Sequence, residues 1–183
     1  RNTTGVKGMN LVDKDSVVSM TVLEHVDVTT EMRSEYLQAI SASRRLINNE
    51  DKSYDGFNRD KELSELLKSD DFIALQQKEE FILSITENGY GKRSSAFEYR
   101  LTNRGGSGII NIVTSKRNGP VVASFLVESK DQIMLVTDRG KLIRSPIVDV
   151  RIAGRNTQGV TLFNTSDDEK VVSVARLEDN VEE

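Results

Sequence analysis

The 183-residue sequence predicts an all-β, propeller-like repeat array that carries a helical insertion. Three observations predict it. The stretch Thr86 to Ile109 recurs 51 positions later, so that Gly89, Arg93, Arg100, Arg104 and Gly108 match Gly140, Arg144, Arg151, Arg155 and Gly159. A third, incomplete copy opens the chain, where Arg1, Asn2, Thr3, Gly5 and Val6 match Arg155, Asn156, Thr157, Gly159 and Val160. Each copy is a series of short apolar runs punctuated by glycine turns, and a period of about 50 residues of that kind reads as one blade. Function is then expected on a surface that the blades share.

The opening segment, 1–23, reads as the back half of a repeat: a turn at Gly5, apolar Val6, Met9 and Leu11, a polar Asp13-Lys14-Asp15 turn, then a strand over Val17 to Val22. Repeats bury their faces only against neighbours, so this half-blade points to a longer array. The opening copy lies 103 positions before copy one, which leaves about 52 extra residues between Glu24 and Glu80. There the pattern changes from strand to helix. Thr29 or Thr30 is placed to cap a helix with Met32, Tyr36, Ile40 and Ile47 on one side. Further helical pieces are expected over Asp60–Lys68 and Asp70–Lys78, carrying Leu63, Leu66, Leu67, Phe72 and Leu75. Asn48 to Asn58 is polar, contains Gly56 and reads as loop.

Copy one, 81–127, begins with a strand over Phe81 to Thr86, turns through Glu87-Asn88-Gly89 and returns over Tyr90 to Arg93, an Asn-Gly hairpin signal. A short helical turn over Ser94 to Tyr99 and a glycine-rich crossing at Gly105, Gly106 and Gly108 follow. Strands over Ile109–Val113 and Val121–Val127, around an Asn118-Gly119 turn, complete four strands. Copy two, 128–177, repeats the order with Gln132–Thr137, Lys141–Arg144, Val160–Phe163 and Val171–Arg176. An acidic tail, 178–183, ends the chain.

Composition bounds the chemistry. There is no cysteine, so neither a disulfide framework nor a thiolate metal site is expected, which agrees with a reducing, cytoplasmic compartment. No apolar run approaches the ~18 residues of a membrane span and the first residues lack signal-peptide order, so a soluble protein is expected. His25 is the only histidine, which leaves no material for a histidine triad or a multi-histidine metal site. Asp167-Asp168-Glu169 and Asp13-Lys14-Asp15 read as charged hairpin tips rather than metal ligands. The net charge of −4 conceals a separation: 24–80 holds 14 acids and 8 bases, whereas 81–176 holds 9 acids and 14 bases.

The strings TENGYGKR, EYRLTNRGGSG, VTDRGKLIRSP and GRNTQGV resemble the C-terminal domain of the DNA gyrase A subunit. The resemblance covers 1–23 and 81 to about 177 and leaves the insertion outside. It implies a β-pinwheel, a six-bladed propeller-like disc with strands exchanged between blades that wraps duplex DNA around a basic rim, about half of which is present. It also implies membership of an ATP-dependent type II topoisomerase, an isomerase that introduces negative supercoils and pairs with the gyrase B subunit in an A2B2 assembly. ATP and Mg would be used elsewhere in that enzyme, with no cofactor and no catalytic residue in this part. Tyr36, Tyr54, Tyr90 and Tyr99 match no DNA-cleaving nucleophile. The alternatives are the related C-terminal domain of the A subunit of topoisomerase IV, a protein-interaction scaffold and a propeller enzyme. The agreement between copies favours the first reading, and the basic balance disfavours a scaffold.

The expected DNA-binding residues are the repeat arginines Arg93, Arg100, Arg104, Arg144, Arg151 and Arg155, with Lys92, Lys116, Arg117, Arg139 and Lys141 at nearby loop positions. Near turns a guanidinium stays solvated and meets phosphate oxygens. Arg100 and Arg151 have a second reading, in which each pairs with an acid of its own repeat, Glu98 or Asp149. No base-reading motif is visible, so contacts should be to phosphates. The family's wrapping motif, Gln-Arg-Arg-Gly-Gly-Lys-Gly, aligns with Thr102 to Gly108, which keeps only Arg104 of its three basic residues. Arg104 to Gly108 is therefore expected to be an ordinary glycine crossing.

Overall fold

The computed structural model describes residues 2–12, 14–47 and 60–178. The chain divides into two compact units, one of 1–23 with 80–183 and one of 24–79.

In the first unit each copy starts with a hairpin. Strand β1 (Phe81–Thr86) pairs with β2 (Tyr90–Ser95), and β4 (Gln132–Thr137) pairs with β5 (Leu142–Pro146), both antiparallel. The turns close alike: Gly89 N–H donates to Thr86 O and Gly140 N–H to Thr137 O, both at 3.0 Å. Only the glycine of each turn has positive φ, +76° at Gly89 and +77° at Gly140. That is a type I turn completed by a left-handed glycine, and Asn88 needs no unusual conformation. A single 3-10 turn follows each hairpin, Ala96–Glu98 and Ile147–Asp149. Each copy's last strand, β3 (Val121–Val127) or β7 (Val171–Leu177), then returns to pair with its first strand.

The expectation of four strands drawn from one copy is corrected. The sheets run β3-β1-β2-β6 and β5-β4-β7, and β6 (Val160–Thr161) comes from copy two but pairs with β2 of copy one. Strand exchange is therefore present in the molecule. Ile109–Val113, the copy-one counterpart of β6, is not a strand. Val17–Val22 is not assigned to a strand either. Its apolar side chains lie open, with Met20 88% exposed.

One core joins the two sheets. Leu83, Ile85 and Val127 pack with Ile133, Leu135, Ile147, Val150 and Val171, edged by Phe81, Phe125, Ile143, Leu162, Phe163 and Val174. Each fully buried aliphatic side chain contributes about 1.5–3 kcal/mol. Strand β4 shows the half-buried alternation, Ile133, Leu135 and Thr137 inward and Gln132, Met134 and Val136 partly exposed. Residues 82–86 of β1 are buried on both faces.

The second unit is helical. Helix α1 (Thr30–Ile47) starts at Thr29, whose Oγ1 accepts from Met32 N at 3.2 Å, so Thr29 rather than Thr30 is the cap. Helices α2 (Asp60–Leu66) and α3 (Asp70–Gln77) end slightly earlier than expected. Tyr36, Ala39, Ile40 and Ala42 of α1 are buried, as are Leu63, Phe72 and Leu75, and Tyr36 meets Phe72 edge-on at 5.5 Å. Glu79 accepts from Tyr36 Oη at 2.9 Å and Arg44 at 2.8 Å. The predicted loop over Asn48–Asn58, the side chain of Ile47 and the tail beyond Glu178 lie outside the described residues.

Candidate nucleic-acid interface

The exchanged strand decides what several of the predicted DNA-binding residues do. After its 3-10 turn, copy two crosses the outer edge of β2 as a strap, Arg151 to Thr161. Arg93 N donates to Arg151 O at 2.9 Å and Ala153 N returns a bond to Arg93 O at 2.8 Å. The Arg93 guanidinium turns inward, donating from Nε to Val150 O at 2.7 Å and lying 5.9 Å from the Phe81 ring centroid. Ser94 Oγ donates to Ala153 O at 2.8 Å, and Glu98 accepts from Arg155 N at 2.8 Å. Lys92 reaches the same strap, its Nζ 2.6 Å from Gly154 O and 2.5 Å from Arg155 O.

Lys92 is 0% and Arg93 6% exposed, so the expectation of two solvated phosphate ligands is corrected: both are consumed in fastening one copy to the next. Burial lowers the Lys92 pKa to about 8, against the raising effect of Glu98. Arg155, also predicted, is half-buried and donates from Nη1 to Ile110 O at 2.9 Å. Among the described residues no ion pair joins Arg100 to Glu98, whose Oε2 accepts from Arg155 N.

The remaining predicted cations stay in reach of solvent. Arg100, Arg104, Lys116, Arg117, Arg139, Lys141, Arg144 and Arg151 are exposed. Arg139 sits in the β4–β5 turn, and Arg100 and Arg151 follow the two 3-10 turns. Arg144 Nε donates to Gln132 Oε1 at 2.6 Å. Lys141 is committed in part, at 2.7 Å from the buried carboxylate of Glu169. That bond, with donation from Ser166 N and Thr137 Oγ1, holds the Glu169 pKa down at about 2. Arg104 projects from a seam in which Gly105 N donates to Gly8 O at 2.8 Å and Asn10 N to Gly106 O at 2.9 Å. A similar seam recurs one copy on, where Val113 N donates to Thr157 O at 3.0 Å, so the glycine crossing is a joint between copies.

A polar cleft at the junction of the copies was not foreseen. It is lined by Asn88, Tyr90, Arg117, Thr161, Phe163 and the loop 164–170. Arg117 lies 5.2 Å from the Tyr90 ring centroid and donates from Nε to Tyr90 Oη at 3.1 Å; bonds from Thr161 and Arg117 lower the tyrosine pKa. Lys170 Nζ is 2.5 Å from Asn88 Oδ1. Asn118, 0% exposed, braces this corner, accepting from Ser115 N at 2.7 Å and donating to Val113 O at 2.9 Å and Gln158 O at 3.1 Å. The Asn118-Gly119 turn signal located it without revealing that load. Among the described residues no helix is long and apolar enough to cross a membrane.

Strand-exchanged copies joined by glycine crossings, with exposed cations at their turns, define a propeller-type β-repeat module. A family profile described as DNA gyrase C-terminal domain, beta-propeller, matches residues 1–24, 80–128 and 131–178. The chain belongs to that family. It is 48% identical over 182 residues to the DNA gyrase A subunit of Rickettsia prowazekii, covering 100% of this chain and 20% of the relative. It is 46% identical to that of Granulibacter bethesdensis over 95% of this chain and 19% of the relative. With the gyrase A protein of Haemophilus influenzae the match is 50% identical over 57% of this chain and 12% of the relative. The chain thus spans about a fifth of the length of the first two relatives. A solved gyrase A C-terminal domain superposes with a TM-score of 0.51 at 29% identity, over 54% of this chain and 33% of its own. A topoisomerase IV C-terminal domain, at 22% identity and a TM-score of 0.50 over 54% of this chain and 31% of its own, shares the fold.

Proposed function

We propose that the repeat unit binds and wraps duplex DNA as part of the gyrase A polypeptide. The whole enzyme would be a cytoplasmic, ATP-dependent type II topoisomerase that introduces negative supercoils, assembled as A2B2 with the gyrase B polypeptide, with ATP and Mg held outside this segment. The observation that carries the reading is the set of exposed cations at the repeat turns and crossings, within a stretch that holds 14 bases against 9 acids. Guanidinium groups at turns neutralise phosphates and release counterions without reading bases, which suits a surface that bends DNA of any sequence. Lys92 and Arg93 contribute indirectly, by fixing the angle between successive copies.

The test is duplex binding across a salt series by the 183-residue chain and by a variant with Arg104, Lys116, Arg117 and Arg139 all changed to alanine. The slope of log affinity against log salt should flatten by up to about 0.9 for each phosphate that is no longer neutralised. An unchanged slope, or binding confined to one DNA sequence, would overturn the assignment.

A further inference from the structure

Of the exposed cations, Arg117 is held in place by groups from both copies. Its backbone is pinned: Arg117 O accepts from Asn88 Nδ2 at 2.9 Å and Arg117 N donates to Ser115 Oγ at 3.2 Å. The next residue, buried Asn118, ties the same turn to Gln158 O of copy two at 3.1 Å. The side chain is pinned as well, with the guanidinium 5.2 Å from the Tyr90 ring centroid and Nε donating to Tyr90 Oη at 3.1 Å. Tyr90 is itself set by the exchanged strand, where it pairs with Thr161, whose side chain bonds the same phenol oxygen.

This arrangement uses one end of the guanidinium and leaves the other. Among the described residues neither Nη of Arg117 has a hydrogen-bond or ion-pair partner. A guanidinium fixed at Nε and stacked on a ring presents its two Nη groups in one plane, the fork that matches two oxygens of a phosphate. Since Tyr90 Oη accepts from Arg117 and Thr161, its own proton is left for a further acceptor beside that fork. The lining of the cleft holds the anion to this pair: Lys170 adds a positive charge, whereas exposed Asp167 and Asp168 repel.

Copy two does not repeat the arrangement. Tyr90, Ser115, Arg117 and Asn118 have Lys141, Ser166, Asp168 and Glu169 as their counterparts 51 residues on. There Lys141 Nζ is spent on Glu169 at 2.7 Å and Ser166 Oγ at 3.3 Å, and the residue in the place of Arg117 is an acid.

We propose that Arg117 and Tyr90 form a clamp for one backbone phosphodiester of duplex DNA, in which both Nη groups and the phenol O–H donate to the phosphate while Tyr90, braced by Thr161, is the positioning residue for Arg117. The inference rests on the reading of the repeat unit as a DNA-binding surface. It makes the contact uneven along the array, because the copy-one tip takes a phosphate that the copy-two tip, with Asp168, repels.

The test is binding of the 183-residue chain to a mixed-sequence linear duplex across a salt series, with Tyr90→Phe, Arg117→Lys, Arg117→Ala and the double variant Tyr90→Phe/Arg117→Ala. Tyr90→Phe keeps the ring and every charge, so a role in packing alone leaves binding unchanged. The clamp requires it to lower affinity by roughly three- to tenfold at each salt concentration, with the salt slope retained. Arg117→Lys keeps the charge without the fork and should lose a similar factor. Arg117→Ala should lose more and flatten the slope by up to about 0.9, and adding Tyr90→Phe to it should cost nothing further. In the free chain the Arg117 Nε–H signal should exchange slowly with water and quicken in Tyr90→Phe. Arg117 lies on an exposed turn, so its lysine variant decides the question if Tyr90→Phe lowers the melting temperature. Full affinity in a folded Tyr90→Phe or in Arg117→Lys, or additive losses in the double variant, would overturn the clamp while the fourfold alanine variant still upholds DNA binding. A wild-type chain that binds no duplex would overturn both readings.

Discussion

The repeat supplies a matched pair of glycines that isolates the energetic value of strand exchange. Gly89 and Gly140 close equivalent turns at φ of +76° and +77°, but a Cβ at Gly140 would have nothing within 4 Å, whereas one at Gly89 would lie 2.2 Å from Phe163 O. Gly140→Ala therefore costs only the left-handed strain, about 1–2 kcal/mol, partly offset by a less flexible unfolded chain. Gly89→Ala carries the same strain and must also push away backbone. Its carbonyl accepts from Leu162 N at 2.8 Å and Phe163 N at 3.1 Å, and displacing that segment forfeits both bonds, each worth about 0.5–1.5 kcal/mol. The expected cost at Gly89 is thus about 3 kcal/mol, roughly 2 kcal/mol more than at Gly140. Urea denaturation followed through the amide signals of β1 and β4 measures both. Hydrogen exchange should quicken at Val160 and Thr161 in the Gly89 variant alone. Equal costs for the two substitutions would refute the reasoning, since only the docked strap distinguishes them.

The buried ionised groups set the pH dependence of stability. The Glu169 carboxyl is held near 2 in the folded chain against an ordinary 4.5, so its contribution is complete above 4.5 and is lost as pH falls toward 2; Glu169→Gln should remove that part of the acid dependence of the melting temperature. Lys92 is lowered to about 8 from 10.5, so between those values the unfolded chain binds the proton that the folded chain has released, and stability rises with pH across that window. Lys92→Met should flatten the rise, and an identical pH profile in the variant would show that Lys92 is not the titrating group.

The repeat made the strand positions legible because hydrophobic alternation and turn glycines are local signals: β1, β2, β4 and the helices fall close to where the pattern puts them. Partnership was not legible from spacing. A period of 51 says that Val160 and Ile109 are equivalent, but not that Val160 belongs beside a strand of the copy before it. That single fact governs the candidate site. Arg93 and Arg144 occupy the same repeat position with similar neighbours in sequence, yet one is 6% exposed and holds a carbonyl of the next copy while the other stands in solvent. The difference lies in whether a strap covers the edge, a property of the array and not of the arginine. Charge counting placed both on a DNA-facing rim because it weighs a guanidinium by its sign alone. A buried guanidinium needs oriented carbonyls, and those come from about 57 residues further on, where no local pattern points back to Arg93. Lys92 shows the converse: its counterpart is Ile143, so the copies diverge at the position where the seam carries an ammonium. Departures from the repeat, read together with the turn glycines that both copies share, are therefore the better guide to where one copy fastens to the next.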